Sequence, residues 1–172
     1  MKSKLLVFAA CSMLISMAAC NNGETNNTTT GTDTTTSVTT QNAEPVSDTA
    51  YVELTANDQM QYDKNSITVK QGQTVVLTLK HVGTATKQAM GHNFVLLKPG
   101  TDFADFGQAA AAAADNDYIP QAKADEIVAH TKLLAGGESD TITFTAPEKG
   151  DYPFMCSFPG HWATMKGIFT VE

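Results

Sequence analysis

Ser66-Ile67-Thr68-Val69-Lys70-Gln71-Gly72-Gln73-Thr74-Val75-Val76-Leu77-Thr78-Leu79-Lys80 is the stretch that decides the fold. Ile67 and Val69 alternate with Ser66, Thr68 and Lys70; beyond Gln71-Gly72, the residues Val75, Leu77 and Leu79 alternate with Thr74, Thr78 and Lys80. Side chains of a strand face opposite ways in turn, so a period of two predicts two strands, each with one buried face. The Gln-Gly pair between them reads as the turn of a hairpin. Further strand-like runs follow at 92–97, 127–134, 141–144, 152–156 and 168–171, separated by turn signals at Pro99-Gly100, Gly136-Gly137 and 146–150. About seven short strands in this length predict an all-β fold, a two-sheet β-sandwich with Greek-key connections. One insertion breaks the pattern. Residues 101–114 hold six consecutive alanines and no proline, with Asp102 and Asp105 near the start, where a helix dipole favours acids. They predict one helix outside the sandwich.

Outward from this segment the chain changes character. Lys2 and Lys4 precede an apolar run from Leu5 to Ala19, the layout of a secretory signal and shorter than the ~20 residues of a spanning helix. Met17-Ala18-Ala19-Cys20 resembles a bacterial lipobox, whose cysteine is acylated and becomes the first residue of the mature chain. Cys11 has too little hydrophobic length before it to serve. The expected organisation is a signal peptide at 1–19, a lipidated Cys20 opening a Thr/Asn-rich tether through 50, and a folded domain at 51–172. Two or three acyl chains would anchor it stably, since each buried CH2 contributes ~0.8 kcal/mol. Of the 172 residues, 11 are basic, all of them lysine, and 18 are acidic, a net charge of −7 that offers no footprint for nucleic acid.

The chemistry concentrates in Met90-Gly91-His92-Asn93-Phe94 and in Cys156-Ser157-Phe158-Pro159-Gly160-His161-Trp162-Ala163-Thr164-Met165. A histidine opening a strand is more often structural than a ligand. A thiol, an imidazole and a thioether at Cys-x4-His-x3-Met spacing on one Pro/Gly-bent loop can converge on one point, however, and a secreted chain seldom keeps an idle cysteine. One Cys, two His and a weak Met make the soft trigonal ligand set of a blue copper site.

With these residues in view, the chain resembles the azurins of the cupredoxin family. The resemblance runs from 57–61 through 65–69, 90–93 and 128–133 to 156–167. It implies a single type 1 copper held equatorially by His92, Cys156 and His161, with Met165 a distant axial ligand and the Gly91 carbonyl a weak contact opposite. It further implies N–H bonds from Asn93 and Phe158 to the sulfur, an Asn93 side chain tying the two ligand loops together, and electron exit through the outer edge of His161. Met90, Phe158, Pro159 and Trp162 would form an apolar docking patch; the position of Trp162 on a short Pro/Gly-bent loop predicts an exposed partner contact, with partial burial against Phe158 or the Met90 loop as the alternative. His81 would lie near the site without binding metal and His130 on the surface; Met60 and Met155 read as core. The chain departs from the family in lacking its usual disulfide, in having Phe94 for a common tryptophan, and in carrying Trp162 on the ligand loop.

The expected function is single-electron transfer in the bacterial cell envelope, not enzymatic catalysis. Partners would be redox proteins such as c-type cytochromes or a copper or haem reductase, with the membrane engaged through Cys20, and the chain a monomer. Copper buffering or delivery is the alternative, which would favour a Met- or His-rich exchangeable site. A copper reductase would need a second metal site, and two of the four histidines are already committed.

Overall fold

The structure is a computed structural model and describes residues 48–172. The expected signal segment, Cys20 and the tether as far as position 47 lie outside the described residues. Nine strands form two sheets among those described. β2 (Gln61–Tyr62), β1 (Thr49–Asn57), β4 (Thr74–His81) and β7 (Ser139–Thr145) make one, in that order. β3 (Ser66–Val69), β9 (Lys166–Val171), β8 (Gly150–Met155), β5 (Val95–Leu97) and β6 (Ile127–His130) make the other. This is the cupredoxin-like sandwich, with helices α1 (Lys87–Met90) and α2 (Phe103–Ala111) outside the sheets.

The period-two residues supply the core. Leu54 and Ala56 of β1, Val75, Leu77 and Leu79 of β4, Ile67 and Val69 of β3, and Phe154 and Phe169 of β8 and β9 are all buried in one cluster. Each of these side chains except that of Ala56 contributes about 1.5–3 kcal/mol on full burial. β5 is buried on both faces, which is why Phe94-Val95-Leu96-Leu97 reads as an unbroken apolar run. Its outer face, with Met155, meets Phe106, Ala110 and Ile119 in a second cluster, so α2 is a lid on the back of the strands that lead into the ligand loops.

The hairpin expected at 66–80 does not form. β3 pairs with β9 in parallel, whereas β4 pairs with β1 in parallel and with β7 antiparallel. Gly72 (φ 78°) carries the chain from one sheet to the other, with its N–H donating to the Ala146 carbonyl at 3.1 Å. Alternation specifies only that each strand has an inward face, and two facing sheets satisfy it as well as one. β1 and β2, unmarked in the sequence reading, complete the first sheet, and β1 begins ahead of the expected domain start at position 51.

Helix α2 is shorter than its alanines suggested. Asp102 caps it, accepting from Ala104 N (2.7 Å) and Asp105 N (2.9 Å), but the helix stops at Ala111. Ala113 (φ −107°, ψ 38°) leaves helical geometry, and Asp117 and Tyr118 adopt left-handed conformations. Burial of Ile119 draws the chain back to the sandwich and overrides the propensity of the last alanines. Met60, expected in the core, is instead 38% exposed at a left-handed turn (φ 55°), whereas Met155 is fully buried.

Candidate metal centre

The β5–β6 ladder opens just where chemistry needs it. Pairing runs from Leu97 to Val95 opposite His130 and resumes only as a single bridge between His92 and Leu134. In the gap, Thr131 Oγ1 accepts from Phe94 N at 2.9 Å, so the backbone stays satisfied while His92 turns toward the interior. Cys156 follows the last residue of β8. Gly160, at φ 81°, takes the loop through a conformation few other residues adopt, and His161 begins a 3-10 turn at 161–163. The loop closes on itself: Met165 N donates to the His161 carbonyl at 2.8 Å and Cys156 N to the Met165 carbonyl at 3.0 Å.

Cys156 Sγ lies 3.6 Å from His161 Nδ1, 3.9 Å from His92 Nδ1 and 3.9 Å from the Gly91 carbonyl. His92, Cys156 and Met165 are fully buried and His161 is 3% exposed. Nitrogen and sulfur ligands about 2.1 and 2.3 Å from one ion at trigonal angles stand about 3.8 Å apart, so the observed spacing fits a shared metal. The donors are also presented correctly. His92 Nε2–H donates to the Asn57 carbonyl at 2.9 Å, which turns the Nδ1 lone pair toward the sulfur.

Asn93 staples the two loops: its Oδ1 accepts from Ser157 N at 2.9 Å and its Nδ2 donates to Ser157 Oγ at 2.8 Å. Tyr62 donates its hydroxyl to the Asn93 carbonyl from the far side. Burial pushes the Cys156 thiol up to about 12, against the N–H groups of Asn93 and Phe158, which act to lower it. Burial likewise holds His92 and His161 down to about 4; the Asn57 bond opposes this at His92, and the neighbouring imidazoles reinforce it at His161. At neutral pH the metal-free site is therefore a thiol and two neutral imidazoles, and a cation enters by displacing the thiol proton.

Residues 48–172 match the family of copper binding proteins described as plastocyanin/azurin. This chain belongs to that family. Azurin-1 of Alcaligenes xylosoxydans xylosoxydans is 42% identical over 121 residues, covering 68% of this chain and 93% of that protein. Among solved structures, the reduced auracyanin of Roseiflexus castenholzii is 40% identical with a TM-score of 0.64, covering 71% of this chain and 96% of that one. Auracyanin A of Chloroflexus aurantiacus, a "blue" copper protein, is 31% identical with a TM-score of 0.65, covering 72% and 99%. The His92, Cys156 and His161 triad matches the ligand set of a type 1 copper site, consistent with one copper per domain, and the chain is an electron carrier rather than an enzyme. Among the described residues, no second group of His, Cys, Asp and Glu is close enough to hold an ion.

Other residues of this plastocyanin/azurin member fall partly as expected. His81 is buried with its ring 4.4 Å from that of His92, and its Nε2 lies 3.1 Å from Asp58 Oδ1. Asp58 also accepts from Thr84 N (2.8 Å) and Ala85 N (3.3 Å), and the Thr84 bond is the main influence holding its carboxyl below the usual range. His130 is exposed. Cys156 is the free cysteine among the described residues, in keeping with the missing family disulfide.

The expected docking patch needs correction. Phe158 is buried, its ring packed between those of Tyr118 (5.0 Å, edge-on) and His161 (4.6 Å, tilted), and only Pro159 of the four residues is exposed. Trp162 is not an exposed contact; it is half-buried in the cluster under α2. Sequence reasoning also missed Asn57 and Tyr62, which act through a backbone carbonyl and a distant hydroxyl and leave no local signature.

Proposed function

We propose that this chain is a lipid-anchored blue-copper carrier of the bacterial cell envelope that passes single electrons between redox proteins such as c-type cytochromes and a copper or haem reductase. The observation that supports a fixed port for the electron is the unequal treatment of the two imidazoles. His92 Nε2 is bound to Asn57, whereas His161 Nε2 has no hydrogen-bond partner among the described residues. No buried side-chain nitrogen or oxygen among the described residues lacks a partner, so the unbonded Nε2 of His161 is not sealed from solvent. When bound, copper supplies a one-electron couple between Cu(I) and Cu(II). The chain supplies constancy: Asn57, Asn93 and the closed 156–165 loop hold the donors in place by bonds that do not involve the metal, so little rearrangement need accompany each transfer.

Met165 and the Gly91 carbonyl are the proposed weak axial contacts. Met165 is fully buried on the closing limb of the loop, and the Gly91 oxygen stands 3.9 Å from the sulfur. An axial group tunes the site without building it. Met165→Gln should therefore keep the intense blue band and change the reduction potential; an unaltered potential in voltammetry would remove Met165 from the ligand set.

The anchor rests on the lipobox-like Met17-Ala18-Ala19-Cys20. Expressed in a bacterium with lipoprotein processing, the mature chain should begin at Cys20, carry acyl chains by intact mass and sediment with membranes. Cys20→Ala should release it or block its maturation. An unmodified terminus at Cys20 or Asn21 would refute lipidation.

A further inference from the structure

We propose that Trp162 and Gly107 form a lock that positions His161, making α2 part of the scaffold of the metal centre. This rests on the copper reading of the site. It begins from an anomaly in the helix. Gly107 sits in the interior of α2, three residues before the buried Ala110, where glycine costs about 1 kcal/mol relative to alanine. Space explains the choice. A Cβ at position 107 would lie 2.5 Å from Trp162 Cδ1 and 2.6 Å from Nε1, so the indole rests its pyrrole edge on bare helix backbone.

That contact falls at a sensitive place. Trp162 is adjacent to His161 in the same 3-10 turn. A metal-binding histidine is ordinarily fixed by a hydrogen bond to its other ring nitrogen. His92 has one to Asn57, but His161 has none among the described residues, so the placement of its ring depends on the loop that carries it. Asn93 pins that loop at Ser157, and the Met165 bonds pin its closing limb. The Thr164 hydroxyl holds the end of the 3-10 turn, within reach of the His161 and Met60 carbonyls, and Trp162 fastens the turn on the helix side to the cluster containing Val95 and Met155 on the strands leading to the other ligands. One apolar unit thus ties the His161 turn to the strands behind His92 and Cys156. Trp162 is a positioning residue in this scheme, acting through its neighbour.

Gly107→Ala tests the lock without touching a ligand or its loop. In the copper-loaded full chain it should speed copper loss to a chelator by about tenfold, the usual scale for disturbing the support of a metal ligand, and widen the copper hyperfine splitting. Trp162→Ala should do the same, whereas Trp162→Phe, which keeps a ring on the helix, should stay near the parent. Adding Gly107→Ala to Trp162→Ala should change nothing further, because the clash has no partner left. In the copper-free protein, emission from the chain's single tryptophan should move to the red in Gly107→Ala as the indole is displaced.

A Gly107→Ala chain with parental emission and parental copper loss would overturn the lock, as would two substitutions whose effects simply add. A parent chain that forms no blue site would instead overturn the copper reading, and the copper-free emission would still decide the lock.

Discussion

Cys156→Ser is expected to give a folded, colourless protein. The intense blue absorption of such a site comes from charge transfer between a thiolate and Cu(II), and a serine hydroxyl provides neither the sulfur nor, at neutral pH, the anion. The replacement is nearly isosteric, and the N–H groups of Asn93 and Phe158 that face the sulfur can bond to Oγ. The sandwich should therefore survive. Copper affinity should fall by more than about a hundredfold, beyond the 10- to 100-fold range seen when only the outer support of a ligand is lost. Absorption and paramagnetic resonance spectra of the copper-loaded variant check this. A variant that remained blue with a narrow hyperfine splitting would show that the sulfur is not a ligand.

The second large effect should come from a residue that does not bind metal. Asn93→Leu keeps the volume and removes all of the side chain's hydrogen bonds, leaving Ser157 N–H and Oγ unpaired where both residues are fully buried. Each buried polar group left unsatisfied costs about 1–3 kcal/mol, so the copper-free domain should lose about 3–5 kcal/mol in a denaturant titration. Ser157→Ala, which leaves the backbone N–H bonded to Asn93 Oδ1, should cost about 1 kcal/mol. A loss below that in Asn93→Leu would mean that the loops are held together by something else. The copper-loaded form should report the same damage as a distorted blue spectrum, because the staple joins the loop of His92 to that of Cys156.

Much of this is legible in the amino-acid sequence. Period two marked most of the strands, since Ile67, Val69, Val75, Leu77 and Leu79 carry their destination in their order, and the ligand loop carries its chemistry in its spacing. What remained hidden was relative placement. Alternation in 66–80 cannot tell a hairpin from a crossing between layers, because both put the same side chains in the same core. The alanines after Ala111 illustrate the complementary failure: a local preference for helix yields to the burial of Ile119, a requirement set by residues remote in sequence. Trp162 was misplaced for a related reason. Its seat is a glycine in another element, and the only local sign was that glycine itself, standing in an alanine-rich helix where it weakens the local structure.

The parallel pairing of β3 with β9 also governs how the molecule comes into being. Ser66 bonds across to the region of Ile168, near the opposite end of the folded unit, and β1 to β4 is a second parallel pair. Contacts between such distant points demand the closure of large loops before they return any stabilisation, which places chains of this kind among the slow folders. The antiparallel ladder from Gly150 opposite Val171 to Met155 opposite Lys166 brings β8 against β9, and Cys156 is tied to Met165 just ahead of that last strand. An amino-terminal fragment that ends before Met165 lacks one of the partners that hold the three donors together. Closing the copper-binding pocket therefore requires residues from Asn57 to Met165 to be in place together, which makes the site a product of long-range contacts rather than of any one local segment.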